Sequence, residues 1–76
     1  MIPGRPLSGR EIIAKVAAEH RMTVDDLVGP SRVRTICIPR WRAMRELRER
    51  GLSLSRIGQL LNRHHTAVLH GLRRAG

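Results

Sequence analysis

Four consecutive residues, His64, His65, Thr66 and Ala67, follow the turn-forming pair Asn62-Arg63 and open an apolar periodic run, where a helix would begin. Imidazole and hydroxyl groups both donate and accept hydrogen bonds, and a small methyl can touch the methyl of thymine. At the head of a helix such groups suit the reading of base edges. The chain around them is rich in groups that grip phosphate. Of its fifteen Lys and Arg residues only Lys15 is not arginine, and the planar guanidinium fork holds phosphates and base edges in a fixed geometry. The net charge is +9, and it is unevenly spread. Residues 1–30 carry four basic and four acidic side chains, whereas residues 31–76 carry eleven and two. That asymmetry implies a polyanionic partner ahead of a basic face that serves only solubility.

Other chemistries fit poorly. His64, His65 and His70 are spaced by one, five and six residues, and two ligands on one helical face need a spacing of three or four. No metal site is expected from them, and no cofactor. Cys37 is the only cysteine, so no internal disulfide can form; it reads as a small apolar residue rather than a nucleophile. No paired carboxylates lie in an apolar setting, and no Ser-His-Asp set or cofactor loop is evident, so an enzyme is not expected. No membrane-length apolar run occurs, and a cytoplasmic location on the nucleoid is the expectation.

The elements that must position these groups are helical. One aromatic residue, Trp41, among 41% hydrophobic residues leaves an aliphatic core, which suits short packed helices better than a sheet. Residues 1–7, with Pro3, Gly4 and Pro6, read as an irregular arm, and residues 8–76 as one domain. Ser8 with Glu11 has capping-box spacing; the first helix then puts Ile12, Ile13, Val16 and Ala17 on one face and ends near His20 or Arg21. Thr23 caps a short second helix with Asp25 and Asp26 in its first turn, stopped by Gly29-Pro30. Residues 31–35 form a basic connector. A third helix starts between Ile36 and Pro39 and runs to Arg50, with Pro39 in its first turn and Gly51 ending it. Ile36, Ala43, Met44 and Leu47 form its apolar stripe, Arg42, Arg45 and Glu49 another. Glu46 and Glu49 have helical spacing to pair with Arg50 or Arg45. Ser53 caps a fourth helix over 54–61, and a fifth runs from about 64 to 74. The fold class is all-α, a small bundle of about five helices.

The last two helices have the marks of a helix-turn-helix. A small residue, Gly58, stands where the helices would cross. Asn62, four residues on, tolerates a left-handed turn. Val68, six further, would fill the angle between them, and Ile57, Leu60, Leu61, Leu69 and Leu72 add apolar contacts. With the surrounding charge, DNA binding is favoured over an ordinary helical hairpin.

Arg63-His64-His65-Thr66-Ala67-Val68-Leu69-His70 resembles the signature of the C-terminal DNA-binding domain of the bacterial DnaA initiator family, Asp-His-Thr-Thr-Val followed by a Leu-His or similar pair and basic residues. Upstream, Ile57-Gly58 lies at the corresponding place in the preceding helix. Arg34-Thr35-Ile36-Cys37-Ile38-Pro39-Arg40 with Ala43-Met44 resembles the family's basic Arg-Ser-x-x-x-Pro-Arg segment, and residues 13–28 resemble its opening helix pair. The resemblance covers about residues 9–74. It implies that the fifth helix enters the major groove, with His64, His65, Thr66 and Ala67 at the bases. It implies further that Arg32 and Arg34 lie in the minor groove, favoured by the negative potential of A·T-rich DNA. Arg40, Arg48 and Arg74 would meet phosphates, and the N-terminus of the fourth helix, at Leu54, Ser55 and Arg56, would offer backbone N–H groups to another.

Two positions depart from the signature. The family's Asp, which accepts a hydrogen bond from cytosine, is His64, and its second Thr is Ala67. Because an aspartate only accepts whereas a histidine can donate, the preferred site should differ from the family's usual one. No Gly-x-x-x-x-Gly-Lys run occurs, so the resemblance implies DNA reading without ATP-driven origin opening. The expected function is therefore sequence-specific binding of double-stranded DNA by a stand-alone monomer that regulates transcription or replication. The alternative is an adaptor whose nearly neutral first half, with Ile12, Val16 and Leu27, contacts RNA polymerase, an initiator or another regulatory protein.

Overall fold

The computed structural model describes residues 7–30 and 33–75. Most of the expected arm at 1–7 and the expected minor-groove residue Arg32 lie outside them. Among the described residues there are five helices and no strand: α1 (Gly9–Glu19), α2 (Val24–Val28), α3 (Arg34–Glu49), α4 (Leu54–Leu61) and α5 (His65–Ala75). No described helix is long and apolar enough to cross a membrane.

Local capping chemistry sets most of the boundaries. The Ser8 hydroxyl accepts from the Glu11 N–H at 3.2 Å while the Glu11 carboxylate accepts from the Ser8 N–H at 3.0 Å, so two donors that α1 would leave unpaired are satisfied reciprocally. Thr23 and Asp26 form the same box at the head of α2, at 3.1 and 2.9 Å. Ser53 accepts from the Arg56 N–H at 3.1 Å. Gly51, at φ 92°, closes α3; its N–H donates to the Arg48 carbonyl at 2.9 Å, and the Leu52 N–H to that of Leu47 at 3.3 Å.

The start of α3 differs from the sequence expectation. It begins at Arg34, so Pro39 is its sixth residue and lies inside the helix. The Ile36 and Cys37 N–H groups both donate to the Val33 carbonyl at 2.9 Å, which nucleates the helix ahead of the proline. The missing proline N–H orphans only the carbonyl of Thr35, an exposed residue in the first turn where water can satisfy it. Arg34 and Thr35 thus belong to a rigid helix and not to the connector.

Ile12, Ile13, Val16 and Ala17 from α1, Leu27 from α2, Ala43, Met44 and Leu47 from α3, Ile57 and Leu61 from α4, and Val68 from α5 form one continuous core. Ile36 is only half-buried. Glu46 reaches Lys15 on α1 at 3.0 Å, and Arg45 pairs with Glu49 at 3.5 Å; both pairs are solvent-exposed enough to add little stability.

Two arginines do what surface salt bridges do not. Arg40, only 4% exposed, donates through Nε to the Leu27 carbonyl at 2.7 Å and through Nη2 to the Asp26 and Gly29 carbonyls, both at 3.2 Å. Arg63, in the turn between α4 and α5, donates from Nη1 to the Val28 carbonyl at 3.4 Å and from Nη2 to that of Gly29. These carbonyls are the unpaired acceptors at the C-terminal end of α2, where the helix dipole favours a cation. Burial first, and then the like charge of Arg40, hold the Arg63 guanidinium below its ordinary pKa, with Cys37 acting in the opposite sense. The five-residue α2 is thereby fastened to both α3 and the α4–α5 turn.

Candidate nucleic-acid interface

The α4–α5 unit is assembled around a close backbone approach. A Cβ on Gly58 would collide with the backbone carbonyl oxygen of Arg63, so only glycine lets the chain double back there without displacing the turn. Asn62 takes the left-handed conformation, φ 54° and ψ 48°. The Arg63 N–H donates to the Gly58 carbonyl at 2.7 Å and the Asn62 N–H to that of Gln59 at 3.4 Å, the paired bonds that close a helix at a left-handed residue. Val68 is fully buried in the angle. The three positions picked from spacing therefore have the three roles a helix-turn-helix requires.

What the turn leaves outward is the head of α5. His64, His65 and Thr66 are exposed and Ala67 is half-buried. His64 precedes the helix, and its carbonyl accepts from the Ala67 and Val68 N–H groups at 2.9 and 3.2 Å. Its Nδ1 accepts from the Thr66 N–H at 3.3 Å and lies 2.7 Å from the Thr66 hydroxyl. The His64 and His65 rings lie 4.2 Å apart between centroids, tilted by 36°. Histidine is not among the preferred capping residues, so nothing in the residue type announced this role.

The expected contact residues divide into groups. Ser55, His64 and His65 border one hollow between α4 and α5. Arg34, Ala67 and Arg74 border a second, between α3 and α5, with Cys37, Trp41 and His70. Trp41 is partly buried, and the Arg74 guanidinium sits 5.8 Å from its ring centroid, within cation–π range. Gly71 permits this packing, because a Cβ there would strike the Met44 and Trp41 side chains. Exposed Arg34 in the first turn of α3 therefore borders the same protein hollow as Ala67, His70 and Arg74 of α5.

Two residues are placed otherwise. Arg40 is interior and engaged with the α2 carbonyls, a geometry that does not present it to a phosphate. The Arg56 N–H is taken by Ser53 and its guanidinium donates to Gln59 Oε1 at 3.3 Å, leaving the Leu54 and Ser55 N–H groups at the head of α4. Arg48 is exposed and donates to the Leu52 carbonyl at 2.8 Å, close to that helix start. Arg63, which the sequence marks only as a turn residue at the start of the signature stretch, ties the α4–α5 turn to α2 through carbonyls 34 and 35 residues away. Among the described residues no group of three His, Cys, Asp or Glu side chains comes together to hold a metal ion.

Comparison with known proteins agrees with this architecture. A family model described as the bacterial dnaA protein helix-turn-helix matches residues 10–75. The chromosomal replication initiator protein DnaA of Thermomicrobium roseum is 49% identical over 65 residues, covering 82% of this chain and 14% of that protein. Its counterpart in Bifidobacterium animalis subsp. lactis is 44% identical over 62 residues, covering 79% and 11%. That of Cereibacter sphaeroides is 39% identical over 74 residues, covering 92% and 16%. The chain thus spans about 11–16% of the length of these curated relatives.

Proposed function

The chain belongs to the family of the bacterial DnaA helix-turn-helix, and from that premise we propose that it reads double-stranded DNA sequence, with α5 in the major groove. The observation that carries the proposal is the exposed head of α5 beside the Gly58–Asn62 turn. Polar side chains at the leading residues of the second helix are what this geometry delivers to base edges.

On this reading His64, His65, Thr66 and Ala67 meet the bases. Arg34 enters the neighbouring minor groove, as does Arg32. Arg48 and Arg74 meet phosphates, and the Leu54 and Ser55 N–H groups at the head of α4 hold another. Residues 8–76 act as one DNA-binding unit, bind as a monomer, reside on the nucleoid and regulate transcription or replication.

The test is binding to a duplex selected from a random pool and to a scrambled duplex, across salt. With about 5–8 phosphates neutralised, log affinity should fall against log salt with a slope of about −5 to −7. The selected duplex should bind more tightly at every salt concentration. Equal affinity for all duplexes refutes sequence reading.

A further inference from the structure

We infer that His64 is a specificity-determining residue that offers a hydrogen-bond donor to a purine edge, guanine above all, because capping α5 fixes its tautomer. The inference rests on the DNA-reading function proposed above and deepens it.

The Thr66 backbone N–H points at His64 Nδ1 from 3.3 Å. A backbone N–H cannot be reversed into an acceptor. If Nδ1 carried a proton, two N–H groups would face each other at the first turn of α5. We therefore assign Nδ1 as the bare nitrogen, its single lone pair facing that N–H, with the Thr66 hydroxyl 2.7 Å away free to turn its own proton to the same lone pair. In a neutral imidazole the hydrogen bond made by one nitrogen decides the state of the other, so the proton is on Nε2. The His65 ring lies 4.2 Å from the His64 ring between centroids. His64 is exposed, and Nε2, across the ring from the cap, is left as a donor.

A donor discriminates among bases in the major groove. Guanine presents two acceptors there, N7 and O6, and no donor. Cytosine presents the N4 amino donor and would face Nε2–H donor to donor. An aspartate in the same place would cap the helix equally well but could only accept, and so would favour cytosine. One substitution reverses the preference while keeping the cap. Asparagine caps through its carbonyl oxygen and keeps an N–H₂ donor, so it serves as the conservative rescue.

Two measurements test this. Long-range ¹H–¹⁵N NMR of the free protein reports which imidazole nitrogen is protonated; the expected result is Nε2–H for His64, and Nδ1–H would overturn the inference without touching DNA binding. Selection of duplexes from a random pool by the wild type, His64→Asp and His64→Asn is the second. Guanine should be enriched at one position for the wild type and His64→Asn, and cytosine at that position for His64→Asp, with a change in the guanine-to-cytosine ratio of about tenfold or more. An unchanged consensus for His64→Asp overturns the role of His64 while leaving DNA reading intact. A wild type that selects no consensus overturns DNA reading itself, and the inference with it.

Discussion

Replacing Arg40 by methionine keeps an apolar stem of similar reach and removes the guanidinium that joins α3 to the end of α2. The lost bonds run to the Leu27 carbonyl at 2.7 Å and to the Asp26 and Gly29 carbonyls at 3.2 Å. The first of these is buried and the other two partly so. A hydrogen bond to a charged donor contributes about 1.5–3 kcal/mol, and a buried carbonyl left without a partner costs about 1–3 kcal/mol. Water can reach the two partly buried carbonyls, and removing a buried charge recovers some desolvation energy. The net loss is therefore set at about 3 kcal/mol rather than the sum of three bonds. In a domain of this size each kcal/mol moves the melting temperature by about 4–8 °C, so Arg40→Met should lower Tm by about 12–24 °C. Arg40→Lys, which keeps the charge but loses the planar fork, should lose most of the same stability and covers the case in which the methionine variant does not fold. Circular dichroism melting gives the first readout, and DNA binding measured well below both transitions gives the second. Retained affinity with a large fall in Tm is the expected pattern. A Tm within about 2 °C of wild type, together with weakened binding, would refute the interior role and return Arg40 to the DNA surface.

The remaining predictions concern the turn and the contact residues. Gly58→Ala drives a methyl into the Arg63 carbonyl and should cost about 1–3 kcal/mol, read by urea or thermal unfolding. Asn62→Val should cost about 1–2 kcal/mol because a branched residue resists the left-handed conformation, while Asn62→Gly should melt close to wild type. Thr66→Ala should flatten base preference in a panel of single-base-changed duplexes. Arg48→Ala should weaken all of them by a similar factor and reduce the salt slope by about 1.

The helix boundaries that rest on neighbouring residues were readable from the chain. Ser8 with Glu11, Thr23 before the acidic pair and Ser53 all cap as their spacing implies, because a cap is settled within one helical turn. The spacing of Gly58, Asn62 and Val68 likewise specified the helix-turn-helix, since each position answers a local steric demand. Pro39 misled, because proline marks a helix start only when nothing upstream can nucleate; here the Val33 carbonyl does so. Arg40 could not be told from a phosphate ligand by sequence. Its partners are carbonyls 11–14 residues away, and carbonyls carry no residue-type signal. The same holds for Arg63. His64 was located correctly at the head of α5, but its capping bond was hidden by a residue type that seldom caps.

The most direct measurement is an amide chemical-shift map of the ¹⁵N-labelled chain titrated with a selected duplex and with its scrambled counterpart. With the selected duplex the largest shifts should fall on residues 64–67, at Arg34 and Arg74, and at the head of α4, with the scrambled duplex moving mainly the phosphate-facing amides. Shifts centred on the outer surface of α1 and α2, or identical maps from both duplexes, would contradict a major-groove role for α5.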